Sequence, residues 1–343
     1  MKRYFFSSVT RITSFTQDNI EIQKVPLTNW STGDYVAGIV SEPPGTMQLE
    51  MPSGRMAEVA EGDIIIGALG NRHATLSATG VWSKIESDGK MDLLSAGGIF
   101  GKMTSISSFE PTLIKIQYLG HVHFEGAMVG MKDFVPEVPQ VEFTIPVVLI
   151  VGTSMSAGKT TTGKIIIRQL KQAGLKVAAA KLTGTGRYRD ILGMYDAGAD
   201  SITDFVDAGL PTTVVPPSEY IPALEVMLSR VQSTNSDIAV IEIGASPLET
   251  YNGDHAIHHI QENVKFRVLC ASDPYAVYGV MKAFGSQPDL VAGIATNTIA
   301  GVHLINNLCD VPSLNLIFPK YHPELRRMLK EKLDGIVPLN FEE

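Results

Sequence analysis

At 343 residues, with 44% hydrophobic and 19% charged side chains, the chain has a globular composition and room for two cores. Its formal net charge of −8 argues against a general nucleic-acid binder, which needs clustered Lys and Arg to track phosphates. Two cysteines, Cys270 and Cys309, with no C-x-x-C pair and no Cys/His zinc spacing, argue against a disulfide framework; they fit a reducing compartment, with both thiols buried.

The opening stretch Met1–Phe6 turns polar at Ser7-Ser8, too soon for a secretory apolar region of ~7–15 residues. The longest later apolar run, Ile145–Val151, falls far below the ~20 residues of a membrane span. A cytoplasmic protein with no membrane partner is expected. Short β-branched and aromatic runs follow at Tyr35–Val40, Asp63–Gly67 and Leu113–Tyr118, divided by Pro43-Pro44-Gly45, Ser53-Gly54 and Asp88-Gly89. Residues 1–138 are therefore predicted to be a mostly β domain, a small barrel or sandwich, with Gly67–His73 a tight turn.

The texture changes near Pro136-Glu137-Val138-Pro139. Over 139–343, apolar strands are predicted at Val147–Val151, Val177–Leu182, Ile238–Ile243, Phe266–Ala271, Val291–Ala295 and Leu314–Phe318. Helices are predicted at 159–173, 218–232, 274–284, 301–309 and 322–333. Strands that are apolar at nearly every position are buried on both faces, which implies a mostly parallel α/β sheet with ligands at its carboxyl edge.

The first of these strands runs into Gly152-Thr153-Ser154-Met155-Ser156-Ala157-Gly158-Lys159-Thr160-Thr161 and then a helix, the context of a P-loop. Backbone N–H groups of Gly152, Thr153, Ser154, Ser156, Ala157, Gly158 and Thr161 are candidates to cradle phosphate. Lys159 would reach the β and γ oxygens, and the Thr160 hydroxyl would ligate Mg²⁺. Five residues separate Gly152 from Gly158, one more than in the standard motif. Glu242 ends an apolar strand at the same edge; a carboxylate there wants a cation, which makes it a candidate metal ligand and catalytic group. Lys181 ends another strand before a glycine turn and, by the same logic with opposite sign, is a candidate functional cation. Arg187 and Arg189 offer forks for an acidic substrate, with Thr183 and Ser246 on the neighbouring turns as further substrate candidates. Asp190, Asp196, Asp200 and Asp204 follow, with Asp190 nearest the turn. His255, His258 and His259 read as surface residues of a helix.

The long loop interval resembles that of dethiobiotin synthetase, a P-loop enzyme of the SIMIBI class. Lys181–Gly186, Ile241–Ser246 and Asn297 in Gly293–Asn297 are similar to further segments of that family, over roughly half the chain. The resemblance implies ATP and Mg²⁺ as cofactors, Lys181 on a carboxylated substrate and the γ-phosphate, Asn297 on adenine, and an Asp downstream of Lys181 as a second metal carboxylate, for which Asp190 is the candidate. Ser154 and Leu182 depart from the family's Asp and Pro, and residues 1–135 are foreign to it, so biotin synthesis is not implied. The loop and Ser201–Val206 also resemble the D-glutamate N-acetyltransferase-like P-loop family.

The expected function is ATP- and Mg²⁺-dependent phosphorylation or activation of a small, acidic carboxylate or carbamate, in a homo-oligomer. One alternative is a MinD-like nucleotide-dependent switch or metallochaperone, with the β domain facing a protein partner. The early loop lysine of that group is replaced here by Ser or Met. Another is a Mur-type amide ligase, suggested by Gly158-Lys159-Thr160-Thr161, although no Mur central domain is evident.

Overall fold

Strands with alternating apolar residues can bury one face only by pairing around it, and strands apolar throughout need cover on both faces. Both solutions occur in this chain. The structure, a computed structural model, describes residues 3–285 and 287–341; Met1 and Lys2, which open the N-terminal stretch, lie outside the described residues. It divides into two compact units. The barrel unit comprises Met1–Glu137 together with Gly184–Arg189 and Phe205–Ala223. The sheet unit comprises Val138–Thr183, Asp190–Asp204 and Leu224–Glu343.

In the barrel unit the principal strands are β1 (Tyr35–Val40), β2 (Ile64–Leu69), β3 (Lys90–Ser95), β4 (Ile99–Ile106) and β5 (Lys115–Phe124). The antiparallel run β2–β1–β5–β3–β4 closes when Ile99 and Phe100 of β4 pair in parallel with Ala68 and Leu69 of β2. The predicted barrel-or-sandwich is thus a barrel, whose closure removes open edges. Val36 and Val40, Ile65 and Leu69, and Met91 and Leu93 recur at a period of two and meet Phe100 and Ile116 in one apolar core. Tyr4–Phe6 extends the sheet by pairing in parallel with Ile64–Ile66.

The two later segments are built into this unit by specific bonds. The Gly184 amide donates to Thr213 Oγ1 at 2.9 Å, Ser95 Oγ donates to the Gly186 carbonyl at 3.0 Å, and Arg11 pairs with Asp207 at 2.8 Å. Glu50 is fully buried, and its carboxylate accepts the Tyr188 and Arg189 amides at 2.5 and 3.2 Å.

The sheet unit holds β6 (Val147–Gly152), β7 (Val177–Thr183), β8 (Ser201–Asp204), β9 (Ile238–Ile243), β10 (Val264–Cys270) and β11 (Leu290–Ala292). Their order is β8-β7-β9-β6-β10-β11 and every pairing is parallel. Helices α1 (Lys159–Gln172), α2 (Tyr188–Asp196), α3 (Pro217–Gln232), α4 (Gly253–Ile260), α5 (Pro274–Phe284), α6 (Ile299–Cys309) and α7 (His322–Leu333) separate or follow the strands. All residues of β6, β7 and β9 are buried, as runs apolar on both faces require. The fold is α/β with a mainly parallel sheet, preceded by a mostly β region.

One predicted strand is corrected. Leu314–Phe318 forms no strand: Ser313 bridges Val291, after which the Asn315 side chain accepts the Ile317 amide and the chain enters a 3₁₀ turn at Pro319–Tyr321. An Asn turn followed by proline stops strand propagation. Cys270 is buried as expected, whereas Cys309 is only partly so. His255, His258 and His259 are exposed on α4, whose Ala256 and Ile260 are buried. No helix among the described residues is long and apolar enough to cross a membrane.

Candidate nucleotide site

Strand β6 delivers the chain at Gly152 to a loop that α1 resumes at Lys159. The loop is tied down from the neighbouring strand: the Thr153 amide donates to the Cys270 carbonyl at 3.0 Å, and the Ser272 amide donates to Thr153 Oγ1 at 3.1 Å. Lys159 is 6% exposed and folds back over the turn, its Nζ donating to the Ser154 carbonyl at 2.8 Å. A Cβ on Gly152 would stand 2.7 Å from Lys159 Cδ, so the lysine takes this path only over a glycine. Gly158 has φ +100° and caps α1, while Ser156 holds φ +62°, a left-handed conformation that is costly for a residue with a side chain. Ser156 and Thr161 are exposed, Ala157 is buried and Gly158 is half-buried. Left-handed strain held in a glycine-containing strand-to-helix turn is what a phosphate cradle requires.

Parallel pairing sets the rest of the site. Asp204 of β8 stands beside Lys181 of β7, Lys181 beside Glu242 of β9, and Glu242 beside Ile150 of β6. Directly paired residues point to one face. A row of alternating sign, Asp204, Lys181 and Glu242, therefore crosses the carboxyl ends of three adjacent strands, with each residue at most 7% exposed. α1 meets this row: Thr160 Oγ1 donates to Glu242 Oε2 at 3.0 Å.

Burial pushes the Lys159 ammonium below its ordinary 10.5, and Glu242 opposes that shift. At Lys181 burial also disfavours the charge, but Asp190 and Glu242 outweigh it and hold the group above its ordinary value. Lys181 Nζ lies 2.5 Å from Asp190 Oδ2. Burial pushes the Cys270 thiol up to about 12, and its Sγ sits 3.3 Å from Thr162 Oγ1 under the loop. Among the described residues no three His, Cys, Asp or Glu side chains converge as a metal cage. Thr160 and Glu242 are hard oxygen donors, a set that suits Mg²⁺ when phosphates and water supply its remaining ligands.

The sequence candidates distribute unevenly. Lys159, Thr160, Lys181 and Glu242 are brought together. Asp190 stands beside Lys181 as its ionic partner. Asp200 pairs with Lys171 and donates its amide to Val177 at the opposite end of β7, and Asp196 is exposed at the end of α2. Asp204, which the sequence leaves unranked among four aspartates, is the one that lies in register with Lys181. Arg187 falls in the barrel unit, its Nε 4.0 Å from Glu50. Thr183 Oγ1 donates to the Gly244 carbonyl at 3.1 Å, and Ser246 opens a turn in which its amide donates to Glu249 Oε2 at 2.5 Å. Asn297 is exposed and follows Gly293-Ile294, a segment against the loop through Ile294 N and the Ala157 carbonyl at 3.3 Å.

This strand–loop–helix arrangement, with a strand-end carboxylate beneath the loop threonine, gives the sheet unit a P-loop NTPase fold. No protein-family model and no curated protein sequence matches the chain. Among solved structures, the signal recognition particle receptor FtsY from Elizabethkingia anophelis is 16% identical, with 53% of this chain and 62% of that one covered at a TM-score of 0.36. A DUF1611 family protein from Anabaena variabilis is 16% identical over 57% and 61%, at 0.37. HypB from Helicobacter pylori, solved in complex with nickel, is 16% identical over 58% and 92%, at 0.38. The alignments cover 59–62% of the length of the FtsY structures from Elizabethkingia and Physcomitrella patens. The resemblance of the loop to dethiobiotin synthetase stands at the level of the P-loop fold.

Proposed function

We propose that the sheet unit binds and hydrolyses a magnesium–nucleotide, ATP in the first instance, and works as a nucleotide-dependent switch. The observation that carries nucleotide binding is Thr160 on Glu242 at 3.0 Å, beneath a loop over which the buried Lys159 is folded. The Lys159 ammonium sits on a backbone carbonyl of the loop; phosphate oxygens are stronger acceptors and would draw it away. The Thr160 hydroxyl would then exchange its bond to Glu242 for the metal, with Glu242 holding the ion or its water.

Two observations favour a switch over activation of a carboxylate. The Lys181 ammonium is already matched by Asp190 at 2.5 Å and flanked by Glu242 and Asp204, so an acidic substrate would have to displace a carboxylate partner. In addition, the segments that follow Lys181 and Asp204 along the chain, 184–189 and 205–223, fold with the barrel unit. A nucleotide-driven change at either strand end is thereby passed on covalently. Carboxylate or carbamate activation is the second reading, favoured by the buried cation of Lys181 beside the proposed phosphate position.

Calorimetric titration of the full chain with ATP and GTP in Mg²⁺ tests the proposal. Binding to wild type is expected to weaken roughly 100-fold in Lys159→Ala, the scale of losing a buried charge-assisted contact. A folded wild type that binds neither nucleotide overturns the site. Steady hydrolysis without added substrate supports the switch, whereas turnover that appears only with a small carboxylate supports the second reading.

A further inference from the structure

The chain has two tryptophans, and both line one cavity of about 510 Å³ in the barrel unit. Each indole is fixed by its own N–H: Trp30 Nε1 donates to the Val25 carbonyl at 2.9 Å and Trp82 Nε1 to Thr32 Oγ1 at 2.8 Å. With their donors engaged inside the protein, the indoles, Trp30 at 6% exposure and Trp82 half-buried, offer the cavity aromatic carbon rather than a polar handle. Trp30 is held in place by Tyr118 at 4.4 Å and His121 at 5.1 Å between ring centroids.

The charged part of the wall is acidic. Asp34 sits in the turn after Trp30, its Oδ2 accepting the Ser31 amide at 2.7 Å. His121 is fully buried behind it; Nδ1 meets the Tyr118 hydroxyl at 2.6 Å, and Nε2 lies 3.3 Å from Asp34 Oδ2 without forming a hydrogen bond. Of the other charged residues in the lining, Lys132 is paired with Glu219 at 3.0 Å, and Asp133 Oδ2 accepts the Gly130 amide at 2.8 Å. The lining thus counts three carboxylates against one ammonium, which is itself engaged.

Fixed indoles beside a surplus of carboxylate form the chemistry that recognises an organic cation: ring faces attract positive charge, and an anion would be repelled. We propose that this cavity binds a small organic ammonium ion, with Trp30 and Trp82 as the aromatic walls and Asp34 as the counter-charge. The site lies wholly within the barrel unit and is independent of the nucleotide proposal. It gives the barrel unit a ligand-sensing role of its own.

Because both tryptophans lie at the site, the intrinsic fluorescence of the full chain reads it directly. Titration with choline and with tetramethylammonium is expected to give a saturable change. The uncharged isostere of choline, 3,3-dimethylbutan-1-ol, should bind at least ~10-fold more weakly, the discrimination expected of a cation–π pair with a counter-charge. Asp34→Asn should reduce choline affinity by a similar factor. If that variant does not fold, Trp82→Leu, followed by calorimetry, must show the same loss, with tetramethylammonium as the probe. Equal response to the isostere, response to glucose but not choline, or no saturation by about 10 mM overturns the proposal.

Discussion

The barrel unit and the sheet unit both bury charge, but they use it differently. In the barrel unit each buried carboxylate holds backbone: Asp92 accepts the Met103 amide at 2.7 Å and pairs with Lys115, Asp63 accepts the Ala60 amide at 2.7 Å and pairs with Arg3, and Glu50 accepts two amides. In the sheet unit Asp204, Lys181 and Glu242 stand in one row at the strand ends, and α1 contributes Lys159 and Thr160. Burial of charge alone thus does not mark a site. On the proposed function, the in-register charges of alternating sign at the carboxyl edge of the sheet differ from these in lying where Mg²⁺ and phosphate would bind.

Removing Glu242 tests that contrast most strongly. Glu242→Ala leaves Lys159 and Lys181 with one fewer counter-charge in a buried setting, and should lower unfolding free energy by about 3–5 kcal/mol in urea. Saturating Mg²⁺–nucleotide should not restore binding. An unchanged urea midpoint would show that the row is not electrostatically coupled. In the barrel unit, Glu50→Ala strands the Tyr188 and Arg189 amides and should cost about 2–3 kcal/mol. Glu50→Gln, which keeps an accepting oxygen, should cost less, and a ranking in the reverse order would refute the capping role.

Acid titration separates the units more gently. Asp63 in the barrel unit and Asp200 in the sheet unit are both held below the ordinary 3.8; burial opposes this, but Arg3 and Lys171, with the Ala60 and Val177 amides, prevail. A depressed carboxylate stabilises the folded state above its unfolded value, and that contribution fades as pH falls through the lower, folded value. Asp63→Asn and Asp200→Asn should therefore each flatten the loss of stability below about pH 4, by under ~1 kcal/mol at these partly exposed pairs. Lys181 runs the other way: its stabilisation is complete below its ordinary 10.5 and is lost as pH rises beyond it. The smallest effect is expected at Ser156. Glycine relieves its left-handed strain and loses some entropy in return, so Ser156→Gly should raise stability by about 0.5 kcal/mol in thermal melts.

The loop and its two nearest partners are legible from the chain itself. Lys159, Thr160 and Glu242 follow from strand-to-helix context and from an acid at the end of an apolar run. Asp204 does not stand out, because Ser201–Asp204 is only four residues, of which Ile202 alone is apolar, and its register with Lys181 exists only through pairing. Arg187 suggests a substrate ligand by its nearness to Lys181 in sequence. The Gly184–Gly186 turn carries the chain into the other unit, and no periodicity announces such a departure. Closure of the barrel is equally silent, since a parallel pair between Leu69 and Phe100 leaves no turn signal between them.

The membership of 184–189 and 205–223 in the barrel unit has a consequence for how this molecule can be divided. A polypeptide begun at residue 139 would lack the partners of Gly186, Tyr188 and Asp207 while keeping those residues. Truncation there is expected to leave two loose loops rather than a free-standing sheet unit. A free-standing sheet unit would therefore need residues 184–189 and 205–223 rewritten together with the loss of residues 1–137.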